Sequence, residues 1–318
     1  MNNLYMSSAP HIHTEESVSS IMKNVIIALL PAAIWGIFLF GFYSLAVILT
    51  AVASCVLFEH LFCIISKKPS TVGDFSAVVT GLLLGLNMPP SIPLWMVIIG
   101  SLFAIVVAKC LYGGLGKNFI NPALAGRCFM VIAWTGAMTT FHTPFDAVSS
   151  ATPLAVMNGI EGSLPSLLDT VLGFTGGCIG ETSAIALLIG FLYLLIKKVI
   201  KADISLSYII SFAVLTFFFG ENITGKHQLM YTLMQICSGG LLLGAFFMAT
   251  DYVTTPTTPK GHIIFGIGCG ILTFLIRQFG GYPEGISFAI LLMNVASPLI
   301  ESYTVPKPFG YIRKEKSE

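Results

Sequence analysis

The chain has 318 residues, 55% of them hydrophobic and only 10% charged, with a formal net charge of +1. Soluble domains carry about 25% charged residues, and a mean hydropathy of +0.87 implies more apolar surface than a water-bounded core can hide. The near-neutral balance offers no basic face for nucleic acid and no excess charge for strongly acidic partners.

Residues 1–21 are polar in composition and hold no Lys or Arg. That is not the pattern of a cleavable signal, and the segment is expected to be a cytoplasmic arm. Apolar runs then alternate with polar breaks, and each run approaches the length a helix needs to cross the hydrocarbon. Ten spans are predicted, at 22–41, 43–66, 74–89, 93–112, 119–138, 181–199, 204–220, 228–250, 261–279 and 284–303. The third is short and runs into Asn87-Met88-Pro89-Pro90, which predicts a broken helix. The chain thus divides into a first membrane half (22–138), a long loop (139–180), a second membrane half (181–303) and a tail (304–318).

Charge orients these spans. With the N-terminus inside, thirteen of the 16 Lys and Arg fall at cytoplasmic ends, loops or tail: Lys23, Lys67, Lys68, Lys109, Lys117, Lys197, Lys198, Lys201, Lys260, Lys307, Arg313, Lys314 and Lys316. Lys226 and Arg277 fall outside, and Arg127 lies within the fifth span. Positive residues are retained on the cytoplasmic side during insertion. The prediction is therefore a multi-pass inner-membrane protein with both termini cytoplasmic. The 139–180 loop then faces outward; it holds Asp146, Glu161 and Asp169 but no Lys or Arg.

The string Gly-Leu-Leu-Leu-Gly occurs at 81–85 and again at 240–244. Each copy is followed by a proline-rich break, at Pro89-Pro90-Ser91-Ile92-Pro93 and at Thr255-Pro256-Thr257-Thr258-Pro259. Next comes an apolar run ending in a basic residue and a Gly-Gly pair: Lys109 with Gly113-Gly114, and Arg277 with Gly280-Gly281. A further apolar run carries Asn121-Pro122 in one copy and Asn294 with Pro298 in the other. Shared order across these features predicts two five-span repeats. Five is odd, so the halves insert in opposite orientations, and such repeats place ligands near the bilayer midplane at their interface.

The seven cysteines (Cys55, Cys63, Cys110, Cys128, Cys178, Cys237 and Cys269) form no C-x-x-C pair and sit mostly in apolar runs. They read as small buried hydrophobes rather than a metal site or disulfide framework. Gly266-Ile267-Gly268-Cys269-Gly270 looks like part of a nucleotide loop but lies inside an apolar run with no preceding strand, which favours close helix packing. Neither an NAD site nor a cysteine set for an iron–sulfur cluster is visible, so such sites belong to partners. Glu59, Asp251 and Glu301 lie in or beside apolar runs, where acids are costly and often functional. Asp251 is read equally as a ligand for a cation or flavin and as a helix-end carboxylate. Arg127 is a candidate partner for a flavin phosphate or for an acid. Glu59 and His60 are expected at the cytoplasmic end of the second span.

The outward loop reads Asp146-Ala147-Val148-Ser149-Ser150-Ala151-Thr152-Pro153. This resembles the flavinylation signature Asp-x-x-Ser/Thr-x-Ala-Thr, in which an extracytoplasmic flavin transferase esterifies the final threonine to the phosphate of FMN, leaving AMP. The resemblance implies covalent FMN on Thr152, with Asp146, Ser149, Ser150 and Ala151 as the recognition string. Many members have glycine where Ser150 stands. Pro153 disfavours helix at Thr152, which keeps the hydroxyl on open backbone.

The wider chain resembles the NqrB/RnfD family, whose members serve the sodium-translocating NADH:quinone reductase and the Rnf complex, a membrane ferredoxin:NAD oxidoreductase. The residues that carry this are Ser8-Ala9-Pro10-His11, Lys117-Asn118-Phe119-Ile120-Asn121-Pro122-Ala123, Ala249-Thr250-Asp251-Tyr252, Gly280-Gly281-Tyr282-Pro283-Glu284-Gly285 and Ala296-Ser297-Pro298. The short chain favours the Rnf side. The resemblance implies an all-α fold like that of urea transporters, with two inverted five-helix halves. It also implies an electron-transfer subunit of a translocase that couples electron flow between ferredoxin and NAD to Na⁺ or H⁺ movement, with no independent catalysis. The implied partners are the membrane proteins RnfA and RnfE, the flavoprotein RnfG and the iron–sulfur proteins RnfB and RnfC. A second, non-covalent flavin such as riboflavin is a further implied cofactor, and Asn118, Asn121, Asp251 and Arg127 are candidate surroundings for a flavin or a cation. A solute channel of urea-transporter type is the competing reading; it explains the repeat but not the 146–152 string. A purely structural scaffold explains neither.

Overall fold

A computed structural model describes residues 17–144, 151–160, 164–222, 227–280 and 284–306, and among these the regular structure is helical. Four helices are long and apolar enough to cross a membrane: α1 (Val18–Phe40), α2 (Phe42–Ile65), α10 (Pro259–Phe279) and α11 (Ile286–Thr304). Between them in the chain lie α3 (Ser76–Leu86), α4 (Leu94–Cys110), α5 (Pro122–Ala133), α6 (Ala184–Ile196) and α7 (Asp203–Phe219), shorter and equally apolar. The pair α8 (Gln228–Cys237) and α9 (Leu241–Met248) is bent by 61° and together would make a fifth long span. Large apolar side chains face outward, such as Phe38 at 61% exposure and Leu299 at 63%. That suits helices bounded by lipid, because a helix that is apolar all round cannot face water.

The breaks fall where backbone chemistry puts them. Gly41 (φ 80°) ends α1 and starts α2. The α3 helix stops at Leu86, ahead of Pro89 and Pro90, and α10 begins at Pro259, where the missing N–H is an unneeded donor. The bend between α8 and α9 is made by Gly239 and Gly240, both with positive φ. The last part of α4 and most of α9 are π-helical, a widening that leaves carbonyls to be met from outside the ladder. Ser205 of α7 meets one, donating to the Ala245 carbonyl at 2.7 Å.

Glycines set the closest approaches. Gly266 and Gly270, one turn apart on α10, face Ser207 and Ser211 of α7 so closely that a methyl group would collide. This is the packing use of small residues inside a membrane, and the Gly266–Gly270 run is helix, with no nucleotide-loop geometry. Helix α1 packs on α6, α2 on α3 and α4, α7 on α10, and α5 on α11. All seven cysteines are free, and six are buried.

One expectation needs correction. Glu59 does not mark a cytoplasmic helix end: α2 continues to Ile65, and Glu59 is 1% exposed. Lys109 and Arg277 lie in the last turns of α4 and α10 and are buried as well, at 1% and 4% exposure. The physical reason is pairing. Lys109 donates to Glu59 at 2.7 Å and to the Ser76 hydroxyl at 2.6 Å. Arg277 donates to the carbonyls of Gln235, Ser238 and Gly239 at 2.6, 3.0 and 3.1 Å, capping the broken end of α8.

Candidate functional site

The chain between Cys178 and Ser183 enters α6 by docking on the broken end of α3. The Ile179 and Gly180 amides donate to the Met88 and Leu86 carbonyls at 3.0 and 2.8 Å, satisfying groups that the Pro89 break leaves open. Gly180 is needed for this approach, because a Cβ there would meet Leu86 at 2.6 Å. The docking fixes Glu181, which is 5% exposed, beside Arg127 of α5.

Arg127 is the hub. Its guanidinium donates to Glu181 Oε1 at 2.8 Å, to Asn87 Oδ1 at 2.6 Å, to Ser287 Oγ at 3.3 Å and to Glu284. It also reaches Cys178 Sγ at 3.5 Å. One planar fork thereby ties α5, the end of α3, the entry to α6 and the entry to α11. Gly240, at the bend into α9, completes the wall: its φ is 71°, and a Cβ would strike the Glu181 carboxylate. Arg127, a candidate phosphate or acid partner from sequence, therefore pairs with acids. Glu181 is not singled out by the sequence reading. The signal available was an acid directly preceding an apolar run, together with an intramembrane Arg that needed a counter-charge.

Thr152 opens the short helix Pro153–Met157, with φ −66° and ψ 155°, as the following proline requires. Its hydroxyl accepts from the Ala155 amide at 3.2 Å. Thr152 and Ala151 line a cavity of about 340 Å³ whose other walls include Arg127, Glu284, Ser287 and the apolar Val131, Met138, Phe141 and Phe288. That volume and that mix of apolar wall with a few polar groups are those of a small-molecule site. Asp146, Ser149 and Ser150 lie outside the described residues.

Asn118, Asn121 and Asp251 are not at this cavity. They line a second one, of about 80 Å³, with Lys109, Ser76, Phe247 and Tyr252. Asn121 caps α5 by accepting from the Ala123 amide at 3.0 Å, and its amide donates across to the Met248 carbonyl at 3.3 Å. Asp251 accepts from the Val253 amide and the Thr254 hydroxyl at 3.4 and 3.3 Å, so the helix-end reading holds while its side also faces the cavity. Glu301 accepts from Thr257 at 2.5 Å, away from both cavities.

Residues 5–310 match the family described as NQR2, RnfD, RnfE. The chain belongs to this family. It is 49% identical over 319 residues to the D component of the Na⁺-translocating ferredoxin:NAD⁺ oxidoreductase complex of Acetobacterium woodii, covering 99% of this chain and 98% of that protein. It is 45% identical over 327 residues to the proton-translocating counterpart of Clostridium ljungdahlii, covering 97% of each. The D component of the ion-translocating oxidoreductase complex of Yersinia enterocolitica is 35% identical over 354 residues, covering 98% of this chain and 100% of the relative. The Thr152 cavity and the Arg127 hub lie within the length that these family members share with the chain.

Proposed function

We propose that this chain is the D-type membrane component of an ion-translocating ferredoxin:NAD⁺ oxidoreductase, carrying FMN esterified to Thr152. The observation that carries the reading is the placement of Thr152. The residue that the sequence string marks for modification lines a ligand-sized cavity whose wall includes a guanidinium and apolar side chains. A flavin held there supplies electron transfer; the chain's residues bind and orient it. Val131, Met138, Phe141 and Phe288 offer surfaces for an apolar ring system, and Arg127, ion-paired to Glu181 and Glu284, lines the same cavity. Covalent attachment keeps the group from being lost to the outer side.

The finer architecture belongs to the same proposal. Ten spans in two inverted halves are supported by the succession α1 to α11, with α8 and α9 as one broken span. The α1–α6 and α5–α11 contacts bring first beside sixth and fifth beside tenth spans, an arrangement that a pseudo-two-fold between the halves permits. The inner membrane, cytoplasmic termini, the partners RnfA, RnfB, RnfC, RnfE and RnfG and an extracytoplasmic transferase follow from the same reading. A second, non-covalent flavin fits the chemistry of the Asn118–Asn121–Asp251 cavity. At about 80 Å³ that cavity is below the usual size of a ligand site and would have to widen to take one.

The test is peptide mass spectrometry of residues 128–197 from protein made with its transferase. FMN mass on Thr152 is expected, lost in Thr152→Ala and partly kept in Thr152→Ser, with assembly intact in both. An unmodified Thr152 returns the solute-channel reading to first place.

A further inference from the structure

The chain reverses between α6 and α7 through a turn that carries Lys197, Lys198 and Lys201. Lys198 has φ 55°, the left-handed conformation that ends a helix and usually falls to glycine. The Lys198 and Val199 amides donate to the Leu195 and Leu194 carbonyls, both at 3.0 Å, which closes the end of α6. This turn, the opening residues of α7 and α10, and the segment 250–257 enclose a cavity of about 360 Å³. Lys198, Lys201 and His262 line it, with Ile204, Tyr252 and Thr257. Its volume is that of a small-molecule site.

The charge around the cavity is positive with every neighbouring acid counted. No acid lines it. Three stand near: Asp203 Oδ2 is 3.7 Å from His262 Nδ1, Glu301 accepts from Thr257, and Asp251 accepts from the Val253 amide and the Thr254 hydroxyl. Against these three acids stand four lysines, Lys197, Lys198, Lys201 and Lys260, a balance of +1 with His262 neutral. None of the four lysines belongs to an ion pair among the described residues. The Thr250, Thr255 and Thr257 hydroxyls already donate to the Phe246 and Asp251 carbonyls and to Glu301, so the lysines are the uncommitted donors. Ile204 and His262 lie in the opening turns of α7 and α10, so the positive ends of two helix dipoles add to the same field. Apolar side chains flank the opening: Ile196 of α6, Leu206 of α7 and Ile263 of α10 are exposed, as lipid-facing residues are.

We infer that this pocket holds the headgroup of an anionic phospholipid, its phosphodiester between Lys198 and Lys201 and its acyl chains along the exposed faces of α6, α7 and α10. Basic pockets between spanning helices at a membrane surface suit such headgroups. Lysine binds phosphate as a point charge while its stem lies along apolar surface. A soluble anion would leave the flanking isoleucines and leucine unused. The bound lipid would brace the α6–α7 turn against the start of α10. The site goes beyond the proposed redox role and does not depend on modification of Thr152.

The experiment titrates the purified, delipidated complex in detergent with short-chain phosphatidylglycerol and reads the rise in thermal midpoint. Phosphatidylglycerol retained through purification is counted by mass spectrometry. Lys198→Gln, Lys201→Gln and the double variant are compared with wild type; both lysines are exposed, so glutamine leaves the fold in place. Lys67→Gln is the matched control, because Lys67 has φ 52° at the end of α2, makes no ion pair among the described residues and does not line the cavity. The expected result is affinity weakened about fivefold for each lysine and about thirtyfold for both. The double variant should retain one phosphatidylglycerol fewer per complex, and Lys67→Gln should match wild type. Phosphatidylcholine and inorganic phosphate should leave the midpoint unmoved. Unchanged affinity in the double variant overturns the site, and equal weakening by Lys67→Gln reduces it to diffuse surface charge. Inorganic phosphate or free FMN acting as well as phosphatidylglycerol refutes the lipid and leaves a soluble-anion site. Carbodiimide cross-links from Lys198 or Lys201 to a neighbouring component refute it too, by giving the pocket to an acidic protein segment.

Discussion

Replacing Arg127 by methionine removes the cation that is ion-paired to both Glu181 and Glu284. Methionine keeps most of the apolar stem, so packing loss is small and the change isolates the charge and the fork. Breaking a buried pair from one side costs about 3–5 kcal/mol, because the remaining carboxylate is left buried and unpaired. Asn87 Oδ1 and Ser287 Oγ lose their donor as well. With about 2–4 °C per kcal/mol for chains of this size class, the apparent midpoint should fall by roughly 6–20 °C. The assay is heating of the detergent-solubilised complex followed by fluorescence-detected size exclusion, with the midpoint treated as operational because such unfolding is irreversible. Arg127→Lys retains the charge but lacks the planar fork that reaches several helices at once, so its loss should be intermediate. The double variant Arg127→Met with Glu284→Met removes one of the two carboxylates left without their ion-pair partner and should recover part of the midpoint. A drop below about 2 °C for Arg127→Met, or equal losses for Met and Lys, would refute the claim that charge at this hub ties α5 to the end of α3 and the entries to α6 and α11.

Gly240→Ala should destabilise by more than Gly116→Ala. Both have positive φ, 71° and 86°, which costs about 1–2 kcal/mol for a side chain, but only Gly240 would also strike Glu181. Thermal midpoints of the two variants compare the steric term directly, and equal values would sink it. On topology, a reporter fused after Gly159 should be active only outside the cytoplasm, and one fused at Lys197 only inside; the opposite pattern would reverse the charge-based orientation.

Much of the fold was legible in the chain because its determinants are local. Apolar run length, Pro89 and Pro90 after α3 and Pro259 at the start of α10 each act within one turn of backbone, whereas the bend at Gly239 and Gly240 falls inside the predicted 228–250 span. The extended backbone at Thr152 followed from Pro153 alone. Burial of the cysteines followed from their apolar surroundings. The site was only half legible. Sequence singled out Thr152 and Arg127, yet set Arg127 with Asn118, Asn121 and Asp251, which line a different cavity. It did not foresee the burial of Lys109 and Arg277 at their helix ends, and it passed over Glu181. Those points were decided by partners 40, 54 and 157 residues from Arg127, and 50 residues from Lys109. Hydropathy says that a buried charge must be compensated, because leaving it alone in a low-dielectric interior is prohibitive. Which carboxylate compensates it depends on how broken helix ends and docked loops meet in space, and only the tertiary structure supplies that.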